Sequence, residues 1–94
     1  MKFEWDEAKR LSNLENHGLD FEDAHFVFNE KAYVVEDTRK DYGETRYILI
    51  GPLFRRLVVI VFTVRQDVIR IISMRKANQR EQKQYVRKRS KTNR

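Results

Sequence analysis

Arg70, Arg75 and Lys76 lie in or at the end of a β-branched run, residues 68–77, that reads as a strand. A buried strand normally excludes cations, because a desolvated charge without a partner is costly. Guanidinium groups fixed on such a strand therefore point to a rigidly held anion site, since arginine presents a planar fork of donors that matches phosphate bidentately. The same residues also fit a plainer arrangement, an arginine at a sheet edge paired with a nearby carboxylate. Alternation groups Arg70 with Ile72 and Met74, and Ser73 with Arg75, so the two arginines share a face only if the strand twists or bulges.

The chemistry such cations serve best is phosphodiester cleavage in RNA, which carries its own nucleophile, the 2′-hydroxyl. The protein then supplies a base, an acid for the leaving 5′-oxygen, and positive charge where negative charge develops on the phosphate. Histidine ordinarily changes charge near neutral pH, which makes His17 a candidate for proton exchange, and Glu44 is a candidate base at the mouth of a strand. Lys9, Arg46, Arg70, Arg75 and Lys76 are candidate phosphate clamps. Ser73 is a candidate hydroxyl donor, and Trp5 a surface on which a base can stack. Each has a structural alternative. His17 at a helix C-terminus gains from the dipole there, Glu44 and Arg46 can form a surface pair of little consequence, and Trp5 can belong to the core.

Other chemistries lack their residues. The chain has no cysteine and two histidines, His17 and His25, eight positions apart across a helix break. Zinc usually takes four N or S ligands, or three plus water. An enzyme built here is therefore expected to work without metal, and no cofactor is called for. The three glycines, Gly18, Gly43 and Gly51, are isolated, so no phosphate-cradling glycine loop exists. Ser73 is mid-strand rather than at a strand-to-helix elbow.

The elements that must position these residues fit one small domain of 94 residues, at which size folding buries roughly 60–65% of the surface of the unfolded chain. Residues 75–94 hold nine Lys or Arg against Glu81 alone, whereas residues 1–74 hold eleven basic and thirteen acidic side chains. All the excess of the net +6 therefore sits at the C-terminal end, where it attracts polyanions through counterion release. No apolar run approaches the roughly 20 residues that span a bilayer, so no membrane association is expected. The N-terminus lacks the apolar core of a signal peptide, and a cytoplasmic location follows as the expectation.

Residues 2–5 read as a short strand with Phe3 and Trp5 on one side. Asp6 caps a helix that ends at His17-Gly18, with Ala8, Leu11 and Leu14 on one side and Asp6, Lys9, Asn13 and His17 on the other. Asp20 caps a second helix, with Phe21, Ala24 and Phe28 apolar, stopping near Asn29. Strands follow at residues 32–36, 45–50, 57–64 and 68–74, the third being central, and Gly51-Pro52 ends the second. Residues 78–88 form a terminal helix, and residues 89–94 a basic, frayed tail. Leu53 and Phe54, apolar in a loop, suggest a partner contact. The order is β-α-α-β-β-β-β-α, an α+β domain of residues 1–88 with helices against a four-stranded antiparallel sheet.

Three segments in order give these residues a family resemblance. Trp5-Asp6-x-x-Lys9, Asn13, His17-Gly18, Phe21 and Ala24 resemble the opening of the BrnT family. Glu44-x-Arg46 with Gly51, and Arg70-Ile71-Ile72-Ser73-x-Arg75-Lys76-Ala77 with Glu81 and Tyr85, resemble its middle and end. The likeness runs over residues 3–85. It departs at Asn16, where a lysine is usual, and at Met74, where a small residue is commoner. The resemblance implies a ribonuclease toxin of a type II toxin–antitoxin module with a RelE-like fold, inhibiting growth by cleaving RNA. It also implies a BrnA-like antitoxin, a complex that represses its own operon, and a toxin dimer bridged by antitoxin. Two other readings suit the charge pattern alone: a non-catalytic nucleic-acid-binding module, and an interaction protein whose basic helix docks an acidic partner.

Overall fold

Asp6 stands where the extended chain turns into α1 (Glu7–His17), and its side chain accepts a hydrogen bond from the Lys9 backbone N–H at 3.1 Å. Gly18, in the left-handed conformation at φ 69°, closes the helix by donating to the Leu14 carbonyl, as a C-terminal glycine does. The computed structural model describes residues 1–92. The apolar side of α1 does not face the core: Leu11 and Leu14 are exposed, while Asn13 is buried.

The second helical segment is a 3-10 helix, Phe21–Val27, rather than an α-helix reaching Asn29. Its buried residues are Phe21, Ala24 and Val27, a spacing of three that matches the three residues per turn of that helix. Asp20 caps it as expected, accepting from the Glu22 N–H at 3.0 Å.

The sheet corrects the expectation of four antiparallel strands. It has five, in the order β1-β5-β4-β3-β2, from β1 (Lys2–Glu4), β2 (Tyr33–Asp37), β3 (Arg46–Leu53), β4 (Arg56–Arg65) and β5 (Val68–Lys76). β1 adds in parallel to β5, pairing Phe3 with Ile69 and Glu4 with Arg70, and the other neighbours are antiparallel. β3 continues through Gly51-Pro52 instead of stopping there. β2 pairs with it only as far as Ile50, so Pro52 lies on a free edge where its missing N–H goes unneeded. A Cβ on Gly51 would lie 2.8 Å from Val27 Cγ1 and 2.9 Å from the Ala32 Cβ; glycine lets the 3-10 segment sit down on β3.

β4 is the middle strand, and Val58, Val59 and Ile60 are buried in succession because both faces are covered there. On the first face Val58, Ile60 and Phe62 pack against Phe21, Ala24 and Val27. On the second face Val59 packs with Ile50, Ala77 and Tyr85 of α2 (Gln79–Thr92). α2 extends to Thr92, past the Lys88 at which the helix was expected to stop, and residues 93–94 lie outside the described residues.

β5 carries the irregularity that matters most. Val61 pairs with Ser73 but Phe62 with Ile71, leaving Ile72 as the extra residue of a bulge. The bulge inverts the alternation, so Ile69, Ile71 and Met74 all join the first-face core despite the odd spacing. Met74 donates its N–H to Asn13 Oδ1 at 3.2 Å, and Asn13 Nδ2 donates to the Leu19 carbonyl at 3.0 Å.

Candidate active site on the second sheet face

With the alternation inverted at Ile72, Arg70, Ser73 and Arg75 all fall on the second face. The register extends this into a cross-strand row through all five strands: Asp37, Arg46, Thr63, Arg70 and Glu4. Thr63 at its centre is buried and donates its hydroxyl to the Thr45 carbonyl at 2.6 Å. Ser73 lies opposite Val61, and Arg75 opposite Val59, four residues back along β4 from Thr63. Arg46 and Arg70 are thus two strands apart, about 10 Å, and Arg75 is about 13 Å along the strand direction from their row.

Every arginine on this strip has a carboxylate. Arg70 Nη1 meets Glu4 Oε2 at 3.1 Å, the sheet-edge pairing with a nearby carboxylate that the sequence also allowed. Arg46 Nε and Arg65 Nη2 share Glu44, at 3.2 and 3.0 Å. Arg75 forms a two-point bridge to Glu81, at 2.8 and 2.7 Å. Arg39 forms another to buried Asp37, both contacts at 2.8 Å, and the Tyr42 hydroxyl donates to the same carboxylate at 3.1 Å. The Arg46 guanidinium also lies over the Tyr42 ring, 4.2 Å from its centroid, a favourable cation–π geometry.

Five guanidinium groups therefore face four carboxylates, leaving one positive charge in excess. The hydrogen bonds from Arg65, with those from Arg46, hold Glu44 below the ordinary glutamate range. Arg75 does the same to Glu81, and Arg39 holds Asp37 well below the usual carboxylate range. Hydrogen bonding to Glu81 raises the Arg75 pKa, against desolvation and against the nearby charge of Arg39. Glu44, Glu81 and Asp37 are therefore ionised at neutral pH. The strip is suited to holding and neutralising a phosphate, with Glu44 an ionised but weak base.

The other candidates lie apart. Trp5 is half-buried against the first-face core, its ring 6.4 Å from that of Phe21, and its indole N–H donates to Glu7. Lys9 and His17 are exposed on α1, which packs on β5 through Asn13. Among the described residues neither side chain makes a hydrogen bond or ion pair with the arginine strip. Past the bulge, alternation returns Lys76 to the side of Met74, and it lines a groove with Pro52, Phe54 and Arg56. Among the described residues no group of three or more His, Asp or Glu is placed to hold a metal ion.

Asp37, Arg39, Tyr42, Arg65 and Glu4 were not among the sequence candidates. A signal for the first pair was present, since Asp37-x-Arg39 repeats the acid-x-arginine spacing of Glu44-x-Arg46 and an extended chain places both partners on one side. Arg65 and Glu4 join only through strand pairing.

A family model described as ribonuclease toxin, BrnT, of type II toxin-antitoxin system matches residues 5–81, from Trp5 to the Glu81 that binds Arg75. No curated protein matches the chain.

Proposed function

The chain belongs to the BrnT family of ribonuclease toxins of type II toxin–antitoxin systems, and from that premise we propose that it cleaves RNA on the arginine strip of the second sheet face, without a metal ion. The observation that carries this reading is the bulge at Ile72, which gathers Arg70, Ser73 and Arg75 onto the face that already holds Arg46. Phosphate oxygens bind Arg75 and Arg46 through the guanidinium N–H groups that Glu81 and Glu44 leave open, and the pairs to those carboxylates stay in place. These guanidinium groups neutralise the charge that grows on the phosphate as the 2′-oxygen attacks. Ser73, on the same face and with no side-chain partner among the described residues, donates to a phosphate oxygen. Glu44, beside Arg46, takes the 2′-hydroxyl proton as the 2′-oxygen bonds to phosphorus, and returns it to the 5′-oxygen as the P–O5′ bond breaks, while Lys9, His17, Trp5 and Lys76 meet only the flanks of a longer RNA. Metal independence is supported by the chain's residue types, with two histidines and no cysteine.

In this reading the fold is a RelE-like arrangement, the protein works in the cytoplasm, and RNA cleavage inhibits growth until an antitoxin binds. A BrnA-like antitoxin, bridging two toxin copies and repressing the operon, completes the proposal. No described helix is long and apolar enough to cross a membrane. The test is digestion of a long RNA by the purified chain in excess EDTA. Products ending in a 2′,3′-cyclic phosphate support the reading. Intact RNA, with binding that weakens steeply as salt rises, would instead make the chain a binding module.

A further inference from the structure

Beside Arg75 the second face opens into a cleft of about 440 Å³ that the proposed cleavage does not use. Its floor is sheet: Val35, Ile48 and Ile50, with Val35 44% exposed although it sits on a face that is buried one strand row away. Its overhang is α2, where Glu81, Gln84 and Lys88 recur at spacings of three and four and so stand on one side of the helix. The Tyr33 ring, stacked on Tyr85 at 6.0 Å, closes one end, and Arg75, bound to Glu81, stands at the other.

We infer that this cleft is a nucleobase subsite, taking the base of a nucleotide adjoining the phosphate held by Arg75. The inference rests on the proposed RNA-cleaving function. Three features point to a single-stranded nucleotide rather than a protein segment. The apolar floor is a few side chains wide, enough for one planar ring. The lining brings the cation Arg87 beside Glu81, whose charge Arg75 already neutralises. The Gln84 carboxamide, with both donor and acceptor and no partner among the described residues, overhangs the floor where a base edge would lie. Sequence-selective binding of single-stranded RNA combines these elements: a stacking surface, hydrogen bonds to base edges, and cations along the backbone.

The test uses the full chain and 2′-fluoro single-stranded pentanucleotides, which resist 2′-hydroxyl attack, with a central base present or abasic. The intact oligonucleotide is expected to bind about tenfold more tightly than the abasic one and to shift the amide signals of Ile48, Ile50 and Gln84. Val35→Trp, which fills the cleft from an edge strand, should abolish that difference, and Gln84→Ala should alter which base is preferred. Equal binding of intact and abasic oligonucleotides, or unmoved cleft signals, would overturn the subsite. RNA digestion in EDTA by the same preparation separates the two claims. Cleavage without base dependence defeats only the cleft, and base-dependent binding without cleavage defeats only the ribonuclease reading.

Discussion

Arg75 and Glu81 join the end of β5 to the first turn of α2 through two parallel hydrogen bonds, at 2.8 and 2.7 Å. Glu81 also accepts from the Asn78 N–H at 2.9 Å, while Asn78 Oδ1 accepts from the Glu81 N–H at 2.8 Å. This is a reciprocal capping box. One carboxylate thus starts the helix, docks it on the sheet and holds a proposed phosphate ligand in place.

Acid should undo that arrangement. Folding lowers the pKa of Glu81 below its ordinary 4.5 and that of Asp37 below 3.8. Their contributions are therefore complete above those ordinary values and are lost as pH falls through the lower, folded ones. Urea midpoints should fall steadily from about pH 5 downward. Glu81→Gln and Asp37→Asn should each be less stable at pH 7 and flatter in acid. A midpoint that rises on acidification would contradict the assignment.

Asn13→Ala should be among the most damaging substitutions on α1. It strands the Met74 N–H and the Leu19 carbonyl in a buried position, at roughly 1–3 kcal/mol for each buried group left unsatisfied. Thermal unfolding should shift down by about 10 °C or more. Leu11→Ala and Leu14→Ala, on the exposed side, should move it far less.

Gln66 occupies the left-handed region at φ 58° in the β4–β5 turn, where a non-glycine residue costs roughly 1–2 kcal/mol. Gln66 is exposed, so Gln66→Gly removes that strain at the smaller entropic cost of a glycine, about 0.5–1 kcal/mol. A net gain of about 0.5–1 kcal/mol in urea unfolding is expected. Gln66→Val should lose stability.

The α+β class, the Asp6 and Asp20 caps, the Gly18 stop and the middle position of β4 were legible because each depends on a few neighbouring residues. The departures have non-local causes. Nothing in Ile71-Ile72-Ser73 marks a bulge, yet that one extra residue decides whether Arg70 and Arg75 share a face. Lys2–Glu4 joins β5 from 66 positions away, and only that pairing gives Arg70 its partner Glu4. The outward apolar side of α1 goes with a contact distant in sequence as well, since Asn13 turns inward to accept from the Met74 N–H. The 3-10 segment was readable in principle, from Phe21, Ala24 and Val27 at intervals of three.

The most direct test of where cleavage occurs compares Arg46→Ala and Arg75→Lys with Lys9→Ala and His17→Ala, on one long RNA in EDTA, after each variant's fold is confirmed by circular dichroism. The arginine strip predicts that the first two lose roughly 100-fold in rate, while the last two retain most of it. Loss confined to Lys9→Ala or His17→Ala, with Arg46→Ala and Arg75→Lys still active, would move the chemistry to α1 and contradict the site described on the second sheet face.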